Sequence, residues 1–132
     1  SGRYLRGWGG PGPGFEWPPS MHGITIDGKD NVWLAGNGGQ SILKFSKDGK
    51  FLLQIGRSGR STGSNDTANL GSPADIAVDL AAREVYVADG YRNRRVIVFD
   101  SESGVYKRHW GAYGKAPNDA ATPAYDPAAP PS

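Results

Sequence analysis

The chain has 132 residues, which suits one domain, and its composition excludes several classes of protein. It contains no cysteine, which excludes disulfide bonds and thiolate metal sites. Its formal net charge of +2 is too small to indicate nucleic-acid or anionic-membrane binding by itself. It has no run of about 18 apolar residues, so we expect no membrane-spanning helix.

The first twenty residues combine one short alternating segment with a connection rich in glycine and proline. Residues 3–9 alternate and end in Trp-Gly, which predicts a single outer strand. Residues 9–20 cannot form regular structure, because proline and glycine interrupt them repeatedly. We expect Phe15 and Trp17 to pack this connection onto the rim of a sheet rather than to stack on a ligand. The start of the chain lacks the apolar stretch of a secretory signal.

Residues 21–56 contain four short runs in which apolar and polar residues alternate. Asp27-Gly28 lies between the first two runs and Asp48-Gly49 between the last two, where tight turns are expected. This pattern is typical of an antiparallel sheet of four strands. Residues 57–72 then form a long polar connection, and a loop of this length in a compact domain is usually functional or flexible.

The same four-part pattern occurs again in residues 73–111. Its runs are Ile76–Val78, Val85–Ala88, Val96–Phe99 and Tyr106–Trp110. Self-similarity in units of four strands indicates the blades of a β-propeller. The sequence therefore predicts an all-β fold with two complete four-stranded blades, residues 21–56 and 73–111, and one extra strand within residues 1–20. A proline-rich extended tail, residues 112–132, follows.

The second repeat has four parts that together resemble the NHL repeat: Ile-Ala-Val-Asp, Val-Tyr-Val-Ala-Asp, Arg-Val-Ile-Val-Phe-Asp and a closing Trp-Gly. The resemblance covers residues 3–111 and implies part of a six-bladed propeller. Residues 21–27 and 31–34 also resemble the peptidyl-α-hydroxyglycine α-amidating lyase branch, and bacterial NHL-repeat proteins more closely still. Because such relatives are often exported, the resemblance favours an extracytoplasmic or secreted location.

Two blades alone would leave two apolar faces exposed to water, because each blade buries its faces against its neighbours. We therefore expect a protein partner: either the chain associates with itself, or another chain supplies the missing blades. Nine strands do not divide evenly into a ring of six four-stranded blades. The strand count therefore favours part of a longer propeller.

Three polar loops are expected on one face, because strand alternation brings residues 36–41, 57–72 and 89–95 to the same side of the sheets. The candidate binding residues there are Asn37, Gln40, Arg57, Arg60, Tyr91, Arg92 and Arg94. Some NHL propellers bind single-stranded RNA on such a face, where arginine and tyrosine stack on bases. Asn93 and Arg95 are expected to brace their turn instead. Nucleic acid is not the partner that we expect first, because the net charge is small.

His22 is the candidate metal ligand, and it stands directly before the innermost strand of the first blade. The resemblance to the amidating lyase implies zinc-binding histidines at such positions, but a catalytic zinc site needs three protein ligands. The second repeat has Ala74 at the corresponding position, and the other histidine, His109, falls on an outer strand. His22 is otherwise a partly buried polar residue at a strand entry. Calcium is a further option, since carbonyls and carboxylates suit it.

Four aspartates each end a strand, and aspartates at such places usually accept hydrogen bonds from their own turn amides. They are Asp27, Asp79, Asp89 and Asp100.

These observations favour a propeller segment that acts as a binding or scaffold module, with no catalytic residue assigned and no cofactor established. The alternative is a metal-dependent, lyase-like enzyme resembling the amidating lyase, with His22 as one zinc ligand. A second alternative is a surface for single-stranded RNA around Arg92 and Arg94. Glycine-rich phosphate loops and serine-nucleophile motifs are absent from the sequence.

Overall fold

The computed structural model describes residues 2–121, and these contain eight strands in two antiparallel sheets. Blade 1 consists of β1 (Ser20–Ile26), β2 (Val32–Asn37), β3 (Ile42–Phe45) and β4 (Phe51–Ile55). Blade 2 consists of β5 (Asp75–Asp79), β6 (Glu84–Asp89), β7 (Arg95–Asp100) and β8 (Tyr106–Trp110). In each sheet the strands pair in chain order, which confirms the two expected blades. A short 3₁₀ turn, Ala112–Gly114, follows.

One apolar core lies between the blades. Alternation along β2 directs Trp33 and Ala35 into it, while Val32 and Leu34 point to the opposite face of blade 1. The buried side chains of this core, each at most 5% exposed, are Trp33, Ala35, Ile42, Ile55, Leu70, Ile76, Val85, Val87, Ile97 and Phe99. Burying one valine, leucine, isoleucine or phenylalanine side chain contributes roughly 1.5–3 kcal/mol to the free energy of folding. The contact between the blades is therefore the main apolar interface of the described residues.

The opposite face of blade 1 is covered only in part. The ring of Phe15 lies 5.1 Å from that of Phe45 and 5.0 Å from that of Phe51, and Trp17 lies 6.1 Å from Phe45. Both aromatic residues of the connection therefore pack on the sheet, as the sequence predicts. The part of this face that β1 forms remains open, as the exposure of Ile24 and Ile26 shows.

Residues 2–9 form no strand, which corrects the prediction of a ninth strand. Trp8 donates its indole N–H to the carbonyl of Lys47 at 3.1 Å, and Arg6 pairs with Asp48 at 2.6 Å. The segment therefore lies along the turn between β3 and β4. Alternation favours a strand only where a neighbouring strand takes up its backbone hydrogen bonds. The described residues contain no sheet in front of blade 1 for this segment to complete.

The long connection over residues 57–72 is held by one buried ion pair. Asp89 and Arg95 contact each other at 3.0 Å, with both side chains 0% exposed. Asp89 also accepts the amide hydrogens of Gly71 and Ser72 in the connection. The guanidinium of Arg95 donates to three carbonyl oxygens of the same connection, those of Ser64, Asp66 and Asn69. Arg95 thus braces the structure, as expected for this repeat, and Asp89 shares that function.

The other three strand-ending aspartates, Asp27, Asp79 and Asp100, accept hydrogen bonds from their own turn amides, as expected. The predicted tail falls partly on residues 122–132, which lie outside the described part of the chain. Within residues 2–121, no helix has the length and apolar character needed to cross a membrane.

Candidate functional site

His22 is the extra residue of a β-bulge. The pairing of β1 with β2 shifts by one residue between Met21 and Gly23, so that His22 has no direct partner. A bulge of this kind re-aims a side chain. The first strand of blade 2 pairs with its neighbour without such a shift. His22 therefore lies within β1 rather than directly before it, and the bulge turns its ring toward blade 2.

The backbone of blade 2 determines which nitrogen of His22 carries the proton. The Nδ1 atom lies 3.0 Å from the carbonyl oxygen of Ala74. Because a carbonyl can only accept, Nδ1 donates and Nε2 is left with a free lone pair. Gly23 allows this approach, since a Cβ atom at that position would lie 2.8 Å from the same carbonyl oxygen.

Tyr91 of blade 2 completes a pair with His22. The Tyr91 hydroxyl lies 2.6 Å from Nε2, and the rings meet edge to face with centroids 5.2 Å apart. With Nδ1 protonated, the phenol donates and Nε2 accepts. His22 is exposed, and Tyr91 is 55% exposed. An acid–base pair contributed by both blades is therefore open to a ligand from solvent.

An apolar groove of about 490 Å³ adjoins His22 on the open face of blade 1. Its walls include Trp8, Trp17, Met21 and Ile24. His22 thus has a polar neighbour on one side, Tyr91, and an apolar surface on the other.

His22 fits a zinc ion as one ligand. Histidines that bind metals usually donate the other ring N–H to a carboxylate or a carbonyl, as His22 does to Ala74. A catalytic zinc needs three protein ligands. Residues 2–121 bring together no group of three histidine, cysteine, aspartate or glutamate side chains. The described residues therefore bring together no zinc site of three such ligands, and no chemical step is assigned to zinc or calcium.

Several other predicted binding residues connect loops to one another. Asn37 accepts a hydrogen bond from the Ser72 hydroxyl at 2.9 Å. Gln40 accepts the amide hydrogen of Gly59. These side chains do share one face of the sheets, but their polar atoms hold the connection over residues 57–72 in place.

The predicted arginines are dispersed. Arg57 pairs with Glu16 at 3.7 Å. Arg94 donates to the carbonyl oxygens of Asn118 and Ala120 at 3.0 and 2.8 Å. Among the side chains described, those of Arg60 and Arg92 form no hydrogen bond or ion pair. Because Arg94 and Arg95 are committed to carbonyl and carboxylate groups, Arg92 is the one guanidinium of the Tyr91–Arg95 loop without a partner within residues 2–121, and the loop forms no cationic patch there.

Sequence reasoning did not predict that Tyr91 contacts His22, which is 69 positions away. It grouped Tyr91 with neighbouring arginines as a stacking residue. The available signal was the repeat itself, which places the start of β1 and the β6–β7 loop at the same end of the sheets.

Comparison with known proteins gives two kinds of match. The family model described as the NHL repeat matches residues 70–99. The chain is 34% identical over 93 residues to a peptidylglycine alpha-amidating monooxygenase of Rattus norvegicus, a match that covers 68% of this chain. It is 30% identical over 95 residues to a probable peptidyl-alpha-hydroxyglycine alpha-amidating lyase of Caenorhabditis elegans, which covers 71% of this chain. The chain is also 32% identical over 120 residues to the peptidyl-alpha-hydroxyglycine alpha-amidating lyase 1 of Drosophila melanogaster, a match that covers 84% of this chain.

The matches cover only a small part of each relative: 9% of the rat protein, 26% of the nematode protein and 19% of the fly protein. The two four-stranded sheets agree with the repeat that the family model recognises. The chain is therefore built of NHL-repeat propeller blades and is related in sequence to the peptidyl-α-hydroxyglycine α-amidating lyases.

Proposed function

We propose that this chain forms one side of a substrate site of the amidating-lyase type, in which His22 and Tyr91 contact the substrate. The observation that carries the proposal is the hydrogen bond between these two side chains, because it joins one acid–base group from each blade at an open end of the sheets. The relatives supply the substrate class, since the names of two of them specify peptidyl-α-hydroxyglycine.

The chemistry of the pair suits a ligand with a hydroxyl group. When the Tyr91 phenol turns to donate its hydrogen to a bound ligand, Nε2 of His22 becomes free to accept a proton. Histidine is the side chain used most often for such proton transfer. A peptidyl-α-hydroxyglycine has a hydroxyl group beside its terminal carboxylate. The hydroxyl is the group that we place against Nε2.

Arg92 is the candidate partner for that carboxylate. It follows Tyr91 directly, it is exposed, and its guanidinium has no partner among the side chains described. Guanidinium groups bind carboxylates with two parallel hydrogen bonds. Arg92 therefore adds charge recognition to the acid–base pair.

The test uses a synthetic peptidyl-α-hydroxyglycine and measures both its binding and its conversion to the amide. Tyr91→Phe removes one hydroxyl, and loss of one hydrogen bond costs about 1 kcal/mol, or roughly fivefold in affinity. The matched control is Tyr113→Phe, because Tyr113 is 97% exposed, lies in the 3₁₀ turn, and makes no contact with His22 or Tyr91 among the hydrogen bonds of the described residues. Binding should weaken in Tyr91→Phe and not in the control.

The outcomes separate the functions considered for this chain. Conversion that depends on Tyr91 and His22 supports the lyase-type site. Binding that depends on Tyr91 but leaves the compound intact supports the binding module that the sequence favoured. If the wild-type chain does not bind the compound, or if Tyr91→Phe binds as tightly as the wild type, the proposal is wrong.

A further inference from the structure

Tyr106 and His109 of β8 form a second tyrosine–histidine pair, separate from the pair of His22 and Tyr91. The Tyr106 hydroxyl lies 2.8 Å from Nδ1 of His109, and the ring centroids are 5.7 Å apart. Residues three apart in a regular strand point to opposite faces of the sheet. The pairing of β7 with β8 shifts by one residue, however, and Lys107 is the extra residue of the bulge. The bulge therefore returns both side chains to one face.

One backbone carbonyl determines where the protons of this pair lie. The side-chain nitrogen of Asn65 lies 3.2 Å from the carbonyl oxygen of Pro117, which can only accept, so Nδ2 of Asn65 donates there. Its Oδ1 atom therefore faces Nε2 of His109, at 3.1 Å, and accepts the ring hydrogen. Nδ1 of His109 is left with a lone pair, and the Tyr106 hydroxyl donates to it.

The order of these three side chains is that of an activated nucleophile. A nucleophilic hydroxyl needs a base within hydrogen-bond reach, and the base needs a third group that orients it. Tyr106, His109 and Asn65 occupy these positions in turn. Burial lowers the pKa of His109, and the charge of Arg95 lowers it further. The imidazole is therefore neutral at neutral pH and able to accept a proton.

Blade 1 shows that the repeat does not require this chemistry. Its outer strand, β4, has the same one-residue shift against β3, and Phe51 and Gln54 occupy the positions of Tyr106 and His109. Phe51 has no hydroxyl, and Gln54 forms hydrogen bonds with backbone groups. The bulge is thus common to the two repeats, whereas the hydroxyl and the imidazole that it brings together are features of blade 2.

We propose that Tyr106 is a nucleophile that accepts acyl groups, with His109 as its general base and Asn65 as the residue that orients the base. The Tyr106 oxygen attacks the carbonyl carbon of an acyl donor that has a good leaving group, such as a thioester. The hydroxyl proton passes to Nδ1 of His109. The bond from the carbonyl carbon to the leaving group then breaks, and the leaving group takes its electron pair and receives the proton from Nδ1. The product is an aryl ester of Tyr106.

The surroundings of the pair suit a small, uncharged acyl donor. Both side chains are partly exposed, and the Tyr106 ring packs edge to face on Phe99, with centroids 6.3 Å apart. A phosphoryl donor would need cations to bind its charge. The guanidinium that acts on His109, that of Arg95, is instead committed to Asp89 at 3.0 Å. Acyl transfer is therefore the chemistry that this site supports.

The experiment treats the full chain with N-acetylimidazole, a small acyl donor, and follows acetylation of each tyrosine by peptide mapping with mass spectrometry. Tyr113 and Tyr4 are the internal controls, since they are 97% and 79% exposed and donate to no side chain among the described residues. General-base catalysis typically contributes about 10²–10⁴-fold, so we expect Tyr106 to be acetylated at least ~10-fold faster than either control, although it is less exposed.

Two variants separate the roles of the base and of the residue that orients it. His109→Phe keeps a ring beside Tyr106 but removes the base, so the rate at Tyr106 should fall to that of the controls or below. Asn65→Ala changes an exposed residue and leaves the Tyr106–His109 contact in place, so the rate should fall by a smaller factor. Asn118→Ala is the matched control, because its side chain is also exposed, and its rate should equal that of the wild type. Circular dichroism establishes that each variant keeps the fold.

Two results would overturn the proposal. One is acetylation of wild-type Tyr106 that is no faster than that of Tyr113, and the other is a His109→Phe variant that reacts as fast as the wild type. Neither measurement requires a peptidyl-α-hydroxyglycine, and neither side chain belongs to the pair of His22 and Tyr91. This inference and the proposed function can therefore fail independently of each other.

Discussion

The buried ion pair between Asp89 and Arg95 predicts one large stability effect. In Asp89→Asn the side chain keeps its shape but loses its charge, so the Arg95 guanidinium stays at 0% exposure without a counter-ion. Removing one partner of such a pair costs about 3–5 kcal/mol. Arg95 keeps its hydrogen bonds to the carbonyls of Ser64 and Asn69, which places the expected loss near the lower end, at about 3 kcal/mol. Domains of ordinary size have only about 5–15 kcal/mol in total.

Urea unfolding followed by tryptophan fluorescence measures this loss, because Trp33 is fully buried between the blades. The matched control is Asp79→Asn. Asp79 is exposed and accepts one hydrogen bond, from the amide of Ala82 at 3.0 Å, so its replacement should cost no more than about 1 kcal/mol. If Asp89→Asn is no more destabilising than Asp79→Asn, the connection over residues 57–72 does not depend on the ion pair, and the reasoning fails.

Two further predictions concern the same connection and its start. Burial opposes ionisation of Asp66, but the amides of Ala68 and Asn69 outweigh it and lower the pKa of this carboxyl from 3.8 to about 2. A carboxyl whose pKa is lowered on folding stabilises the fold at pH values above its unfolded pKa, so the wild type should lose this contribution as the pH falls from 3.8 towards 2. In Asp66→Asn the melting temperature should therefore fall less steeply over this pH range. Melting temperatures that fall in parallel for both proteins would contradict this prediction. Gly56→Ala should lower the melting temperature, because φ is +85° there and a Cβ atom would lie 2.5 Å from the carbonyl oxygen of Gln40; an unchanged melting temperature would argue against this close contact.

The blades could be predicted from the sequence because the alternation of residues within each strand indicates which side chains are buried and which are exposed. The alternation of Val32-Trp33-Leu34-Ala35 directly specifies which side chains face each neighbour, and the strand-ending aspartates mark the turns. The ninth strand could not be predicted in the same way. Residues 3–9 have the correct alternation, but pairing depends on a partner strand that lies outside the segment itself.

The candidate site was predicted only in part, because its geometry depends on two features that no local pattern encodes. One is the bulge at His22, which turns the ring toward blade 2. The other is the packing of the blades, which brings Tyr91 within 2.6 Å of that ring. Arg94 shows the opposite case: its position in a basic loop suggested ligand binding, but the structure directs it to Asn118 and Ala120.

The bulge at His22 is where the two repeats diverge most clearly in structure. In β5 the corresponding residue, Ala74, lies beside a regular ladder and supplies only its carbonyl oxygen to the site. An extra residue in β1 weakens local pairing, and it adds nothing to the core, because His22 and Tyr91 are both exposed. Departures from regular geometry that bring no gain in packing are expected at functional positions. Deleting His22 should therefore restore a regular ladder without loss of stability while abolishing the contact with Tyr91. A strong loss of stability on this deletion would instead assign the bulge to the packing of the blades.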